Sequence, residues 1–277
     1  MRPTGPIPPA PPALTALLVL LLPLSLAAQM DAPAAMQMLL RRVAANEVRF
    51  ERARGNYTYR QDFSFFAYDR NRNPGGYYQV STDITFTPDG RRFQKNIRGP
   101  VNALKIVRLT GKDFEDLRRV IPLVLTPAKL SLYQIRYLGP AIIALHDDQG
   151  RPTARRLRTR VFHLSPRQIW PGQRYFQGKI WVDPKTDGIV QLRGRPVPQI
   201  RRWVHGRPEE NLFGRFTTYF ARIDGRFWFP VYTHGDDWLG FIGAPVEMKE
   251  YVRFRHYQRF GTTSSFRVVG PAHQPPH

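Results

Sequence analysis

Cysteine is absent from the 277-residue sequence. Its absence excludes disulfide bonds, thiolate metal ligands and cysteine nucleophiles. It also excludes a lipid-modified amino terminus, because that modification requires a cysteine directly after the signal segment. We therefore expect the mature protein to be free in solution rather than tethered to a membrane.

Long apolar runs are scarce as well. The one apolar run near the amino terminus extends from Ala13 to Leu26 and follows Arg2. It is shorter than the 18 or so residues of a spanning helix, and small residues follow it. The sequence thus predicts a signal peptide over residues 1–28, cleaved near Ala27 or Ala28, and a periplasmic location. An uncleaved membrane anchor is the alternative.

Acidic residues are outnumbered: 21 Asp and Glu face 42 Lys and Arg, so the formal net charge is +21 and the isoelectric point is near 11.0. Such a balance favours anionic partners, in particular an anionic membrane surface. A GC-rich genome, which favours arginine codons, is the alternative explanation. Export argues against nucleic acid as a partner, although basic and aromatic residues interleave from Tyr251 to Arg259.

Catalytic motifs are missing too. The chain contains no G-x-S-x-G elbow, phosphate-binding loop, dinucleotide glycine fingerprint or H-E-x-x-H pair. The most suggestive cluster is His234, Asp236 and Asp237, which we interpret as loop chemistry following a strand, and His146-Asp147 has the composition of a turn. We predict no catalytic residue, no metal site and no cofactor, and hence no enzyme.

What the sequence does contain is apolar and aromatic mass, at 42% and 13% of its residues, which is ample for a core. Apolar residues at helical spacing predict a helix over 34–54, ended by Gly55. Strict alternation then predicts a strand from Tyr57 to Phe65. Further strands are predicted over 78–86, 92–97, 133–137, 141–145, 157–164, 175–182, 189–193, 216–223, 226–232 and 246–257.

Helical signals in the rest of the chain are few. Thr110 is a predicted cap for a helix to about Ile121, and Thr126-Pro127 starts a short helical turn. A longer helix that starts there and ends at Gly139 is the alternative, but the alternation over 133–137 favours a strand. The tail over 262–277 is predicted to be disordered. These elements indicate the α+β class, with a strongly curved, unclosed antiparallel sheet capped by helices, in one domain over 29–261.

In successive strands, the aromatic and aliphatic residues at alternating positions share one face of the strand. These residues are the candidate ligand-binding set. Either they fill a closed core or they line an apolar pocket that accepts acyl chains. The set consists of Phe63, Phe65, Tyr78, Val80, Ile84, Phe86, Phe176, Ile180, Val182, Phe216, Phe220, Val252 and Phe254.

Four segments carry a resemblance to a known family: Leu109–Leu117, Gly172–Asp183, Ile189-Val190 and Arg226–Thr233. Together with the order of elements, they resemble the LolA/LolB-like superfamily, and more closely acidobacterial envelope proteins labelled outer-membrane lipoprotein-sorting proteins. The resemblance covers about residues 35 to 261. It implies a half-barrel with a helical lid and an apolar interior for lipid chains, and the missing cysteine resembles the soluble carrier rather than the acylated receptor.

The predicted function is accordingly the non-enzymatic binding or carrying of lipid or lipoprotein acyl chains in the periplasm, by a monomer. The alternative is an envelope sensor or protein-interaction module that transports no lipid. The resemblance allows this alternative, because some members of the superfamily sense envelope lipids or regulate partners.

Overall fold

The computed structural model describes residues 32–87, 90–108, 125–170, 173–198, 202–204, 207–209, 214–240 and 245–259. The predicted signal peptide, the helix predicted near Thr110 and the carboxyl-terminal tail lie outside these ranges, so those three predictions stay predictions.

The described chain is mostly strand, with one long and one short helix. The elements are α1 (Ala32–Arg54), β1 (Tyr57–Tyr68), β2 (Pro74–Phe86), β3 (Arg92–Asn102), α2 (Pro127–Leu130), β4 (Tyr133–His146), β5 (Pro152–Pro166), β6 (Tyr175–Val182), β7 (Ile189–Val197), β8 (Arg202–Val204), β9 (Arg207–Glu209), β10 (Phe216–Ile223), β11 (Phe227–Gly240) and β12 (Pro245–Arg259).

Ten of the described strands form one sheet, in the order β3-β2-β1-β12-β11-β10-β7-β6-β5-β4. Every described pairing is antiparallel, and the sheet is not closed because β3 and β4 are its two edges. The first and last strands, β1 and β12, lie side by side as the third and fourth strands from the β3 edge. Strands β8 and β9, which lie between β7 and β10 in the sequence, form a separate hairpin. The predicted α+β class and unclosed antiparallel sheet are thus confirmed.

Strand β1 explains why the sheet is two-faced. Its burial alternates without a break from Tyr57 to Tyr68, as its sequence alternates between aromatic and polar residues. Phe63 and Phe65 are buried on one face, while Asp62 on the other face pairs with Arg255 of β12. Period-two alternation has this outcome because successive side chains of a strand point to opposite faces.

Helix α1 packs its apolar stripe onto one end of the sheet. Leu39, Val43 and Phe50 are buried there, and the Phe50 ring lies edge-to-face with Phe227 at 6.0 Å. On its polar side, the Asn46 amide donates a 2.6 Å hydrogen bond to the Thr186 carbonyl in the β6–β7 turn. Within the described chain, neither helix combines the length and apolar character needed to cross a membrane.

The short helical turn and the strand predicted after Thr126 are present, and the strands predicted over 133–137 and 141–145 are one strand, β4. It continues through Gly139, whose φ of +103° accommodates a bulge between Tyr137 and Gly139. One local prediction was wrong: His234, Asp236 and Asp237 do not form a loop, since β11 extends to Gly240 and pairs with β12 over this segment.

Candidate ligand-binding face

The predicted ligand-binding residues separate into two groups of buried side chains. The first, which we call the β1–β2–β12 cluster, contains Phe63, Phe65, Tyr78, Val80, Ile84, Val252 and Phe254, with Phe86 packed against it. The second, which we call the α1 cluster, contains Phe176, Ile180, Val182 and Phe220, with Phe216 packed against it. The structure therefore brings the set together as two patches rather than one.

The α1 cluster is a closed core. Leu39, Val43 and Phe50 of α1 are buried in it together with Ile180 and Leu192, which pair across β6 and β7. Ile180 and Leu192 have no exposed surface. This end of the sheet is filled by the chain's own helix.

Phe176 fills a gap that two glycines leave in the same cluster. Gly178 and Gly194 are directly opposite on β6 and β7, and a Cβ on either would lie within 2.8 Å of the Phe176 ring. The ring also contacts Phe216 edge-to-face, with centroids 6.0 Å apart. The glycines thus serve the close approach of an aromatic ring to the backbone of the sheet.

The β1–β2–β12 cluster, unlike the α1 cluster, has no residue of α1 among its members. Apart from residues of the three strands, the described part of the chain contributes to it only Leu104 and Val107, from the segment that follows β3. Val107 is 4% exposed, so the contact is tight. A short segment rather than a helix of the described chain lies against this face.

A small polar pocket adjoins this cluster. Its walls include Phe63, Tyr78, Gln61, Arg92 and Gln94, and its volume is about 10 Å³, room for at most one water molecule. The Arg92 guanidinium donates to Gln94 Oε1 at 2.8 Å and to Gln61 Oε1 at 3.3 Å. The predicted set missed these polar members, because alternation identifies a buried face but not which of its positions are polar.

Glu250 of β12 also lies on this face, paired with Phe65 on one side and Gly235 on the other. Its side chain is 7% exposed, and burial raises its pKa to about 8. Within the sequence it is one acidic residue in a charged segment, Glu247 to Glu250, and no local pattern distinguishes it from the other charged residues there.

A second buried carboxyl lies under α1. Burial raises the pKa of Glu47 to about 8, although its hydrogen bond with the Ile189 backbone and the nearby Arg54 act in the opposite direction. Glu47 is 7% exposed. It joins α1 to the start of β7 beneath the helix that closes the α1 cluster.

The opposite face of the sheet carries a stack of rings. Tyr219 lies on His146 with centroids 3.7 Å apart, and on Tyr232 and His234 at 6.4 and 6.0 Å. Burial lowers the pKa of both histidines. Both imidazoles are therefore held in the neutral form against the phenol rings.

His234 is thus part of this ring stack. Asp237 instead accepts from the Arg215 backbone at 3.0 Å. Asp147, next to His146, closes a turn by accepting from the backbone of Gln149 and Arg151. Among the residues that the structure describes, no three potential metal ligands form a group.

The described strands form one large unclosed antiparallel sheet and a separate hairpin, with few helices. Known structures similar to it are a DUF1329 family protein from Desulfovibrio piger (9% identity, 82% of this chain and 95% of that chain, TM-score 0.37) and a putative outer membrane lipoprotein-sorting protein domain from Vibrio parahaemolyticus (8%, 80% and 92%, TM-score 0.33).

The complex of MucA and MucB from Pseudomonas aeruginosa is a further neighbour, at 11% identity over 76% of this chain and 93% of that chain, with a TM-score of 0.25. At such identities the likeness describes the fold alone. No protein-family model and no curated protein matches the sequence.

Proposed function

We propose that the protein binds the acyl chain of a lipid or lipoprotein on the β1–β2–β12 cluster, in the periplasm, and catalyses no reaction on it. One observation carries this proposal. Three adjacent strands present a largely apolar face whose described cover is only Leu104 and Val107, whereas the α1 cluster is closed by a 23-residue helix.

The energetics favour an acyl ligand. Each methylene removed from water contributes about 0.8 kcal/mol, so a chain of about sixteen methylenes supplies on the order of 12 kcal/mol before ordering costs. The pocket beside the cluster is far too small for such a chain, at about 10 Å³. An acyl chain therefore binds only if it displaces side chains that now cover the cluster, among them Leu104 and Val107.

Substitutions can test whether the ligand displaces these side chains. If Leu104 and Val107 compete with the ligand for one surface, then Leu104→Ala with Val107→Ala weakens the competitor and raises the affinity for a fluorescent fatty acid. Phe65→Ala removes part of the binding surface itself and should lower the affinity for the fatty acid. Val43→Ala in the α1 cluster is the matched control and should leave the affinity unchanged.

Lipid mass spectrometry of the mature protein from envelope extracts supplies the identity of the ligand. A co-purified acyl lipid supports the proposal. Failure of the fatty acid to bind, together with a tightly co-purifying protein and no lipid, would overturn it in favour of an interaction module.

We further propose that the β4–β5 hairpin contacts an anionic membrane surface during loading or release. Ile142 is 72% exposed and pairs with Arg158. Two positions away on the same face, Arg156 pairs with Ala144 and is also exposed. An exposed apolar side chain between arginines suits a surface that combines headgroup phosphates with acyl chains.

A further inference from the structure

Four basic residues line up across four neighbouring strands of the sheet. Register pairs Arg136 of β4 with His163 of β5, His163 with Lys179 of β6, and Lys179 with Arg193 of β7. We call these four residues the basic row. Side chains that are paired in this way lie on one face, with Cβ atoms about 5 Å apart from strand to strand.

The basic row lies on the face opposite α1. Arg193 pairs with Thr217 of β10, which precedes Tyr219 of the ring stack by two residues and therefore shares its face. Leu192, the neighbour of Arg193 in the chain, points the other way and is buried in the α1 cluster. His163 is half-buried, and the other three residues of the row are exposed.

Within the described chain, no carboxylate pairs with the three permanent cations of the row. Arg136, Lys179 and Arg193 form no ion pair there. Two residues along each strand, away from the β4–β5 turn, the same face carries only uncharged or basic residues: Gln134, Ser165, Gln177 and Arg195. Like charges that are directly opposite in a sheet destabilise it, and an anionic partner would relieve this repulsion.

The imidazole of His163 responds to the charges on either side of it. Burial lowers its pKa, and Arg136 from β4 and Lys179 from β6 lower it further. On its own strand, Ser165 Oγ lies 3.3 Å from His163 Nδ1. The charged groups that face this imidazole from the two adjoining strands are thus both cations.

The relief of the surface around the row favours a narrow partner over a flat one. His146 and Gly150, at the end of the β4–β5 hairpin, contact Tyr219 and Tyr232 on this same face. The hairpin end therefore stands above the sheet two residues along β10 from the row, and stacked sheet layers are about 10 Å apart. The hairpin would hold a lipid bilayer off the row, whereas a single extended polypeptide segment fits beside the hairpin.

We propose that the basic row is a docking surface for an extended acidic segment of a partner protein, which lies across β4, β5, β6 and β7 beside the hairpin. From β4 to β7 the row covers about 14 Å, at about 4.8 Å from strand to strand. An extended segment of about five residues has the same length, so acidic side chains along one edge of it reach the row. Acyl binding would occur on the opposite face, so this inference stands independently of the proposed function.

A fluorescein-labelled peptide of alternating glutamate and serine, about ten residues long, is the probe, and its binding is followed by anisotropy. Lys179→Gln with Arg193→Gln should weaken binding by about 10-fold, because an exposed ion pair contributes up to about fivefold. Arg41→Gln with Arg52→Gln removes the same charge from exposed positions of α1 and should change the affinity by less than about 2-fold. A peptide with glutamine in place of glutamate should not bind.

His163 supplies a local readout that net charge alone would not produce. Carboxylates bound between Arg136 and Lys179 favour the imidazolium, so saturating peptide should raise the pKa of His163 in an NMR titration of the wild-type protein. By linkage, the peptide should bind more tightly at pH 5.5 than at pH 7.5, and His163→Gln should reduce that difference.

Three results would overturn the proposal. Equal losses of affinity in the two double variants would show that the net charge of +21 acts as a whole. A pKa of His163 that saturating peptide leaves unchanged would place the peptide elsewhere, and this measurement needs no variant. Binding of phosphatidylglycerol vesicles but not of the peptide, lost on Lys179→Gln with Arg193→Gln, would identify a membrane as the occupant of the row.

Discussion

His146 and Tyr219 lie ring on ring, with centroids 3.7 Å apart and planes inclined by 24°. The two residues belong to strands that are not neighbours in the sheet, since β7, β6 and β5 separate β10 from β4. Close by, Gly150 in the β4–β5 turn meets the Tyr232 ring of β11. The far end of the β4–β5 hairpin is therefore docked on the face that β10 and β11 present.

The stack makes the docking sensitive to acid. Burial lowers the pKa of His146 below its usual value of 6.5, so the folded protein favours the neutral imidazole more than the unfolded chain does. The unfolded chain then takes up more protons as the pH falls, and the stability from this residue is present above about pH 6.5 and lost below it. We expect the urea midpoint to fall between pH 7.5 and pH 5, and His146→Phe to reduce that fall while keeping a stacked ring.

His256→Asn controls for the loss of a histidine as such. His256 is exposed and has a φ of +56°, which asparagine tolerates. An NMR titration of His146 supplies the direct check. A pKa at or above 6.5 for this imidazole would contradict the prediction.

A larger residue at position 150 tests whether the β4–β5 turn contacts Tyr232. A Cβ there would lie 2.2 Å from Tyr232 Cε1, and φ is +76°. Gly150→Ala should therefore lower the free energy of unfolding by about 2–4 kcal/mol, because backbone strain adds to a clash. Gly225→Ala is the matched control: its φ is +62°, but nothing lies within 4 Å, so only about 1 kcal/mol of strain is expected. Equal effects of the two changes would show that Gly150 does not meet Tyr232.

The sequence predicted the strands well where local alternation determines them. From Tyr57 to Phe65 every second residue is large and, with the exception of Gln61, apolar, and the structure buries that same phase. The segment from His234 to Asp237 misled because histidine, glycine and aspartate are frequent in turns, whereas here pairing with β12 keeps the chain extended.

The candidate site was less predictable for a physical reason. The alternation along a strand identifies which residues share a face. It does not show that Ile180 lies in the core that α1 closes while Val252 belongs to the β1–β2–β12 cluster. The burial of Glu250 next to Phe65 and Gly235 brings together residues that are separated from it by 185 and 15 positions in the chain. Such separations leave no local pattern.

Phe176 tests whether the α1 cluster is a packed core. The ring is 5% exposed and covers Gly178 and Gly194, so Phe176→Ala should cost about 3–5 kcal/mol in urea unfolding. Phe216→Ala removes a partly buried ring of the same cluster and should cost less. A loss nearer 1–2 kcal/mol for Phe176 would mean that one side of its ring faces a void, which would move the candidate pocket to this end of the sheet.

The last prediction concerns the exposed arginines of the β4–β5 hairpin. Arg156→Gln with Arg158→Gln removes two exposed charges that flank Ile142, and each arginine near an anionic surface contributes about 1 kcal/mol. Affinity for vesicles containing phosphatidylglycerol should fall by about 30-fold. Arg41→Gln with Arg52→Gln on α1 removes the same charge from another surface and is the control.

Binding to these vesicles should weaken as salt rises, because charges on exposed side chains are screened within about 8 Å at physiological ionic strength. Ile142→Ser should weaken what binding remains at high salt, since the apolar contact is not screened. If both arginine pairs reduce binding equally, the net charge of +21 acts as a whole and the hairpin has no special place in membrane contact. If neutral vesicles bind as well as anionic ones, the arginine content reflects composition rather than a partner.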